Sequence, residues 1–240
     1  MRIQSLLSAA VLTLSISAIA QQGATNTTSA APTTPAAAVD DLPDTPSANP
    51  AKLVVPNGPH VIFETSMGRI TCQFYQKQAP KTVENFIALA KGTKDWTDPV
   101  SKKLQHNKPL YDGTTFHRVI PEFMIQGGDP AGNGSGDPGF SFEDEFNLDL
   151  DFDRPGRLAM ANSGPNTNGS QFFITEQAYP SLNLHYSLFG QCDDSGVLVV
   201  KTIARVDRDE NDKPLAPVTL KRVIIVPEGE AIPEPEKAAQ

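Results

Sequence analysis

Apolar positions recur along this chain in several distinct patterns, and each pattern predicts a different kind of segment. A continuous apolar run from Leu6 to Ala20 follows Met1-Arg2. Residues 21–56 then carry almost no large apolar side chain and are rich in Ala, Thr, Pro, Ser and Asn. Beyond them, short β-branched and aromatic runs alternate with turn residues, at 61–65, 70–74, 115–119, 124–126, 158–161, 171–175, 188–192 and 218–226. Runs of this length bounded by Gly, Pro, Asn and Asp read as strands. The first two flank Ser66-Met67-Gly68-Arg69, where glycine supplies a hairpin turn. One stretch has helical spacing instead. Val83, Phe86, Ile87 and Ala90 fall at i, i+3, i+4 and i+7, with Pro80 near the start and Gly92 at the end. Val197, Val200, Ile203 and Ala204 also suit a helix, although the β-branched content of 197–204 leaves a strand open. Residues 93–112, rich in Lys, Asp, Pro and Asn with one Trp, read as a surface loop or small excursion. Many short strands with one helix early and one late predict a mainly β fold, a closed antiparallel barrel with helical plugs.

The same pattern divides the chain. Residues 1–20 end in Ala18-Ile19-Ala20, a small-x-small cleavage site, and read as a secretory signal peptide. Residues 21–56 cannot bury enough surface to offset their ordering entropy and are expected to be a disordered linker. A globular domain is expected over 57–227, followed by a disordered, Pro- and Glu-rich tail over 228–240. The resulting expectation is a periplasmic or secreted protein, with no membrane insertion after cleavage. The formal charge is −8, and Lys and Arg are scattered without a basic stripe, which argues against nucleic acid and anionic membrane surfaces as partners. The two cysteines, Cys72 and Cys192, both sit in predicted strands. An exported location permits a disulfide, and two buried thiols are the alternative.

Several motifs dissolve on inspection. Gly134-Ser135-Gly136-Asp137-Pro138-Gly139 has dinucleotide-loop spacing, but Pro138 interrupts it and the residues after it alternate like a strand. It reads as a glycine-rich surface loop. Asp149, Asp151 and Asp153 alternate like a calcium loop, but Arg154 and Met160 stand where that loop needs Gly and Glu. The four His residues lack metal-ligand spacing, so no metal or cofactor is expected. Ser163 and Ser170 have neither a nucleophile elbow nor a base at a characteristic spacing, which argues against a hydrolase.

Arg118 is different. Alternation places Phe116, Arg118 and Ile120 on one strand face and His117 and Val119 on the other. An arginine among apolar neighbours needs a partner or a cleft. Phe123, Met124 and Gln126 just downstream favour a cleft with soft and aromatic walls and one amide.

These residues belong to two long segments, Phe116-His117-Arg118-Val119-Ile120-Pro121-Glu122-Phe123-Met124-Ile125-Gln126-Gly127-Gly128-Asp129 and Met160-Ala161-Asn162-Ser163-Gly164-Pro165-Asn166-Thr167-Asn168-Gly169-Ser170-Gln171-Phe172-Phe173-Ile174-Thr175. Both closely resemble the signature segments of the cyclophilins, which are peptidyl-prolyl cis–trans isomerases. The resemblance implies an eight-stranded antiparallel barrel capped by two helices, and so a helix at 197–204. It implies a catalytic role for Arg118 and a proline pocket walled by Phe123, Met124, Phe173 and Leu182. Gln126, Ala161, Asn162 and Gln171, with Thr167 beside them, are implied to hold the substrate backbone. Tyr186 falls where many members have His, and Ser181 where some have Trp. The implied substrates are proline-containing peptides and unfolded clients, handled by a monomer that assists the folding of exported proteins. A non-catalytic proline-peptide binder on the same fold is the competing reading, and damage to the arginine and pocket set would distinguish it. Apart from Ser181, that set is intact.

Overall fold

Alternating burial along each strand builds one curled sheet. The computed structural model describes residues 53–235. The predicted signal peptide, all but the last residues of the predicted linker, and residues 236–240 lie outside them. The strands are β1 (His60–Thr65), β2 (Gly68–Phe74), the short pair β3 (Trp96–Thr97) and β4 (Leu104–Gln105), β5 (Arg118–Ile120), β6 (Met124–Gly127), β7 (Arg157–Met160), β8 (Phe172–Thr175), β9 (Leu188–Cys192) and β10 (Leu220–Val226). The helices are α1 (Pro80–Lys91) and α2 (Asp194–Ala204). Eight strands form an antiparallel sheet in the order β10-β1-β2-β9-β7-β8-β6-β5, and β3 pairs with β4 apart from it. Residues 113–116 join the two edges of the large sheet. Gly113 and Phe116 donate backbone bonds to the carbonyls of Leu220 and Val218, and Thr115 bridges both Asp129 and Thr219.

The predicted helix at residues 80–91 has identifiable ends. Pro80 occupies the first turn, where no backbone N–H is needed. Glu145 accepts from the N–H groups of Lys81 and Thr82 at 3.1 and 2.8 Å, adding a carboxylate at the positive end of the helix dipole. Gly92 ends it in the left-handed region at φ 70°, and a Cβ there would meet the Lys108 backbone at 2.5 Å. The buried face, including Val83, Phe86 and Leu89, fills the interior of the curled sheet. Phe86 packs there against Phe63, Phe74, Tyr111, Phe172 and Phe189.

Residues 194–204 are helical despite their β-branched content. Asp193 caps the helix by accepting from Gly196 N–H at 2.6 Å, and Val197, Val200, Ile203 and Ala204 turn a buried stripe toward the core. Burial of that stripe outweighs the few tenths of a kcal/mol that β-branching costs per residue. Cys72 and Cys192 are directly paired residues of β2 and β9 and form a disulfide, which settles the alternative left open by sequence.

Two expectations need correction. Residues 93–112 are not simply a surface loop. Trp96 is buried and donates its indole N–H to the Lys108 carbonyl at 2.9 Å, while Leu110 and Tyr111 belong to the main core. Phe116 does not share a face with Arg118. The strand begins only at Arg118, so strict alternation does not extend back to Phe116, which is buried in the main core with Val119.

At the chain ends, Val54 packs against the second apolar cluster, and the Arg69 guanidinium donates to the carbonyls of Pro233 and Glu234.

Candidate active site

Strand register assembles the site. Arg118 of β5 lies opposite Gln126 of β6, Gln126 lies opposite Phe173 of β8, and Phe173 lies opposite Ala159 of β7. Directly opposed residues share a sheet face, so a guanidinium, an amide and an aromatic ring stand side by side in one row. One step along, Ile120 lies opposite Met124, bringing the thioether onto the same face as Gln126.

Two groups of candidate residues result. Arg118, Gln126, Ala161, Asn162, Thr167 and Gln171 line an open groove of about 790 Å³. Phe123, Met124, Phe173, Leu182 and Tyr186 gather in the second apolar cluster, where Ala161 also packs. Phe173 stacks on Phe152 at 5.9 Å between centroids and meets Tyr186 edge-on at 5.2 Å. Ser181 is exposed in a short 3-10 turn over Pro180–Leu182. The structure thus brings every candidate into one region, polar on one part and apolar on the other.

The polar wall is preorganised. Gln126 Nε2 donates to Gln171 Oε1 at 3.0 Å, and Gln171 Nε2 donates to the carbonyls of Gly134 and Gly136 at 3.0 and 3.1 Å. Asn162 Nδ2 donates to the His185 carbonyl at 3.0 Å, which ties the 162–171 loop to the segment bearing Tyr186. The Thr167 hydroxyl works within its own loop, donating to the Gly164 carbonyl and accepting from Ser163 N–H. The amide side chains of Asn162 and Gln171 therefore hold the groove's shape.

Several supporting residues escaped the sequence reading. Asp129 is fully buried, and its carboxylate accepts from the backbone N–H groups of Ala131, Asn133, Gly134 and Gly136. It winds the glycine-rich segment into a wall of the groove, so that segment is not merely a surface loop. A Cβ at Gly136 would fall 1.7 Å from the Asp129 carboxylate, which explains the glycine. Glu122 adopts a left-handed backbone, φ 63°, in the turn that presents Phe123. Its carbonyl accepts from the Tyr179 hydroxyl and the Gln177 amide, and its N–H donates to buried Glu176 at 2.8 Å. Glu176 in turn holds Arg205 at 2.7 Å, anchoring that turn to the end of α2. The turn at 208–213 brings Asp209, Asn211 and Lys213 to the groove rim. Its Asp212, also left-handed at φ 62°, accepts from Val119 N–H through its carbonyl. The Asp212 carboxylate stands 3.8 Å from Arg118 Nε and 3.1 Å from Arg208 Nε.

Charge in the site is arranged unevenly. His117 lines the groove beside Arg118, is almost completely buried, and neither ring nitrogen has a hydrogen-bond partner. Burial, helped by the positive charges of Lys213 and Arg118 and opposed by Asp129, lowers its pKa and keeps the imidazole neutral. Beneath the apolar cluster, buried Arg157 donates to Asp153 and to the Tyr75 hydroxyl. Desolvation pushes the Asp153 carboxyl up, but hydrogen bonds from Arg154 and Arg157 outweigh it and hold the pKa at about 2. Asp153 is thus a structural ion-pair partner, and Asp151 accepts from Asn183, so these acids of the calcium-like run have protein partners. Among the described residues no group of three or more His, Cys, Asp and Glu side chains is placed to hold a metal ion.

The sequence profile described as cyclophilin type peptidyl-prolyl cis-trans isomerase/CLD matches residues 60–225. The chain belongs to the cyclophilin-type peptidyl-prolyl cis-trans isomerases. The peptidyl-prolyl cis-trans isomerase A of Mycobacterium tuberculosis is 48% identical over 164 residues, covering 68% of this chain and 90% of that protein. The peptidyl-prolyl cis-trans isomerase B of Streptomyces anulatus is 44% identical over 168 residues, 69% of this chain and 95% of that protein. A crystal structure of a Cryptosporidium parvum cyclophilin type isomerase superimposes with a TM-score of 0.62 at 34% identity, covering 74% of this chain and all of that one. A second, obtained in the presence of the dipeptide Ala-Pro, gives a TM-score of 0.59 at 35% identity over 72% of this chain. As a cyclophilin, this chain is an enzyme of X-Pro bond rotation, and its proline-containing substrates follow from that activity.

Proposed function

We propose that Arg118 is the catalytic group of this cyclophilin and that its substrates are proline-containing segments of unfolded proteins outside the cytoplasm. The observation that carries the assignment is the row of Arg118, Gln126 and Phe173 on one sheet face, a guanidinium beside an aromatic wall. Amide resonance imposes a barrier of about 18–20 kcal/mol on X-Pro rotation. As the C–N bond twists, the proline nitrogen becomes pyramidal and regains its lone pair. Arg118 donates to that lone pair, an interaction absent from the planar ground state, so it stabilises the transition state selectively. Phe123, Met124, Phe173 and Leu182 hold the ring, while the backbone of the loop that carries Ala161 and Asn162 holds the chain that turns. Gln126 and Gln171, bonded to each other, keep the groove wall rigid between them. No bond is broken, and no group needs to titrate near neutrality.

Export rests on two supports: the apolar run and small-x-small site at residues 6–20, and the Cys72–Cys192 disulfide, a bond that persists in oxidising compartments. We read the protein as acting there as a monomer.

The test is cis–trans exchange of a short Ala-Pro peptide followed by NMR. Arg118→Ala should lose at least about tenfold in kcat/KM, because one charge-assisted hydrogen bond is worth ~1.5–3 kcal/mol. Equal exchange rates in the two proteins would remove Arg118 from the mechanism. Export is tested separately, by N-terminal sequencing of the protein recovered from its native compartment. An uncleaved Met1 would overturn it.

A further inference from the structure

Beside Arg118 stands a buried imidazole that the isomerase mechanism does not use. His117 is 5% exposed, and both of its ring nitrogens are sealed from solvent with no hydrogen-bond partner. Only its backbone is bonded, the N–H donating to the Gln126 carbonyl at 3.0 Å. A neutral imidazole has one donor and one acceptor, and burial here leaves both unmatched. Such a group costs stability that an apolar side chain of similar bulk would not. An orphaned polar ring next to Arg118 therefore needs a reason other than filling space.

Its position supplies one. The ring lies against Gly134 of the glycine-rich wall, where an added Cβ would stand 3.3 Å from His117 Cδ2 and 3.4 Å from Nε2. Gly134 is a joint of that wall. Its N–H donates to buried Asp129 at 2.7 Å, and its carbonyl accepts from Gln171 Nε2 at 3.0 Å. Gln171 accepts in turn from Gln126, the residue opposite Arg118. A continuous chain of contacts thus runs from the imidazole to the row that carries the guanidinium.

The surroundings suit the uncharged ring. Burial disfavours a proton on it, Asp129 favours one, and the positive charges of Lys213 and Arg118 disfavour one again, leaving the pKa lowered. Asp129 is the acid that could receive an imidazolium, but its carboxylate already accepts from the N–H groups of Ala131, Asn133, Gly134 and Gly136. The acids of the groove rim are engaged as well. Asp137 accepts from Gly139 N–H, Asp209 from the N–H groups of Asn211 and Lys213, and Asp212 faces Arg118 and Arg208. An imidazolium here could bond Asp129 only by taking it from the wall.

We propose that His117 is a positioning residue for X-Pro exchange: its uncharged imidazole props the glycine-rich wall, and a proton on it displaces the wall and disables the site. The inference rests on the assignment of this groove to the exchange reaction and adds a residue that acts through Gly134 and Gln171. Linkage fixes the sign. With the wall closed the ring is buried and holds a proton weakly. With the wall displaced it meets water and regains an ordinary imidazole pKa, about 6.5. As pH falls through that value toward the lower one of the buried ring, the closed wall loses population to the displaced one, about tenfold for each pH unit across this window. Above the window the site is intact.

The experiment follows exchange of a blocked Ala-Pro peptide, which carries no titrating group, between pH 7.5 and 4.5 in the full chain and in His117→Gln. The amide is neutral throughout, so the readout is the ratio of kcat/KM at the two pH values within each protein. The natural protein should lose at least about fivefold with a midpoint below pH 6.5, and the ratio for His117→Gln should stay within about twofold of unity. Asp153, whose pKa is about 2, stays ionised over this range, and melts at each pH keep the comparison within folded protein. Imidazole and amide resonances of the natural protein are recorded over the same range. The His117 ring should titrate at the midpoint of the exchange rates, and the Gly134 and Gly136 amides should shift with it. These resonances decide the prop if His117→Gln is unfolded or inactive. The proposal is overturned if the natural protein keeps its rate at pH 4.5, if both proteins lose it equally, or if the ring titrates without moving those amides. An equal loss would assign the effect to another histidine, such as His185, whose carbonyl holds Asn162. Absence of exchange at pH 7.5 in the natural protein would count against the isomerase assignment, and the resonances would still decide the prop.

Discussion

Phe172 and Phe173 are neighbours in β8 that join different clusters on opposite faces of the sheet. Phe172 points into the main core, where it meets Phe63, Phe86, Tyr111 and Phe116 and is fully buried. Phe173 points to the other face and is also largely buried, 5% exposed, among Met124, Phe152 and Tyr186 in the cluster where the groove residue Ala161 packs. The two clusters are built from the same residue types. They differ in what closes them. α1 and α2 pack against the first, whereas loops rich in backbone polar groups surround the second. Those loops are held by side chains that are themselves buried and bonded, Asp129 for the glycine-rich wall and Glu176 for the turn that presents Phe123. An apolar surface is kept open in water only because its rim is polar and rigid, and that rim is what gives a proline ring an orientation.

The sharpest way to break the comparison is to truncate both rings. Phe172→Ala should cost about 3–5 kcal/mol of stability, the loss of a fully enclosed aromatic plus its cavity. Phe173→Ala, at a ring that is also largely buried, should cost up to a similar amount, but should in addition weaken peptide binding and lower kcat/KM more than tenfold. Denaturant melts run beside exchange assays separate the two outcomes. Equal melts with unchanged exchange would mean that Phe173 is ordinary core.

Next in size is the disulfide, which belongs to the sealed side. It closes a loop of 120 residues between β2 and β9. Replacing both cysteines by serine should lower stability by about 2–4 kcal/mol. The rate on a short peptide should stay unchanged while the protein remains folded. A large loss of kcat without a change in melting would show that the sheet transmits strain to the groove.

Asp212 tests the open side. Its carboxylate stands 3.8 Å from Arg118 Nε. The pair is partly exposed, and such pairs are worth about 0.2–1 kcal/mol, so Asp212→Asn should lower kcat by roughly twofold to fivefold. KM should hold steady, and Asp212→Gly, which suits the left-handed backbone, should behave like Asp212→Asn. A change confined to KM would place Asp212 in substrate binding instead.

The smallest effect is expected from acid. The folded pKa of Asp153, about 2, lies below the ordinary carboxylate value, so this group contributes stability above about pH 4. That contribution disappears as pH falls through 2, when the carboxylate that pairs with buried Arg157 becomes protonated. Asp153→Asn should flatten the melting profile between pH 4 and 2. An unchanged slope would show that other carboxylates dominate acid unfolding.

Much of this molecule was legible in its pattern of residues. The short strands and the helix from Pro80 to Gly92 depend on local periodicity, which a single chain displays, and the candidate groups around Arg118 were legible through the resemblance of two signature segments. Three features were not legible, for a common reason. Residues 197–204 were ambiguous because β-branching speaks for a strand, and only packing of Val200 and Ile203 on the sheet made them helical. Trp96 and Tyr111 lay in a polar stretch, and their burial depends on partners far along the chain. The roles of Asp129, Glu176 and Asp212 were not legible, because a carboxylate's role is set by which backbone N–H groups and cations surround it.

Sequence by itself determined the family, through the two signature segments, and with it the candidate residues of the site. Tertiary structure decided which cluster each aromatic ring joins, which acids hold loops, and how Cys72 finds Cys192. Those outcomes depend on contacts between residues distant in the chain, whose energies no local pattern encodes.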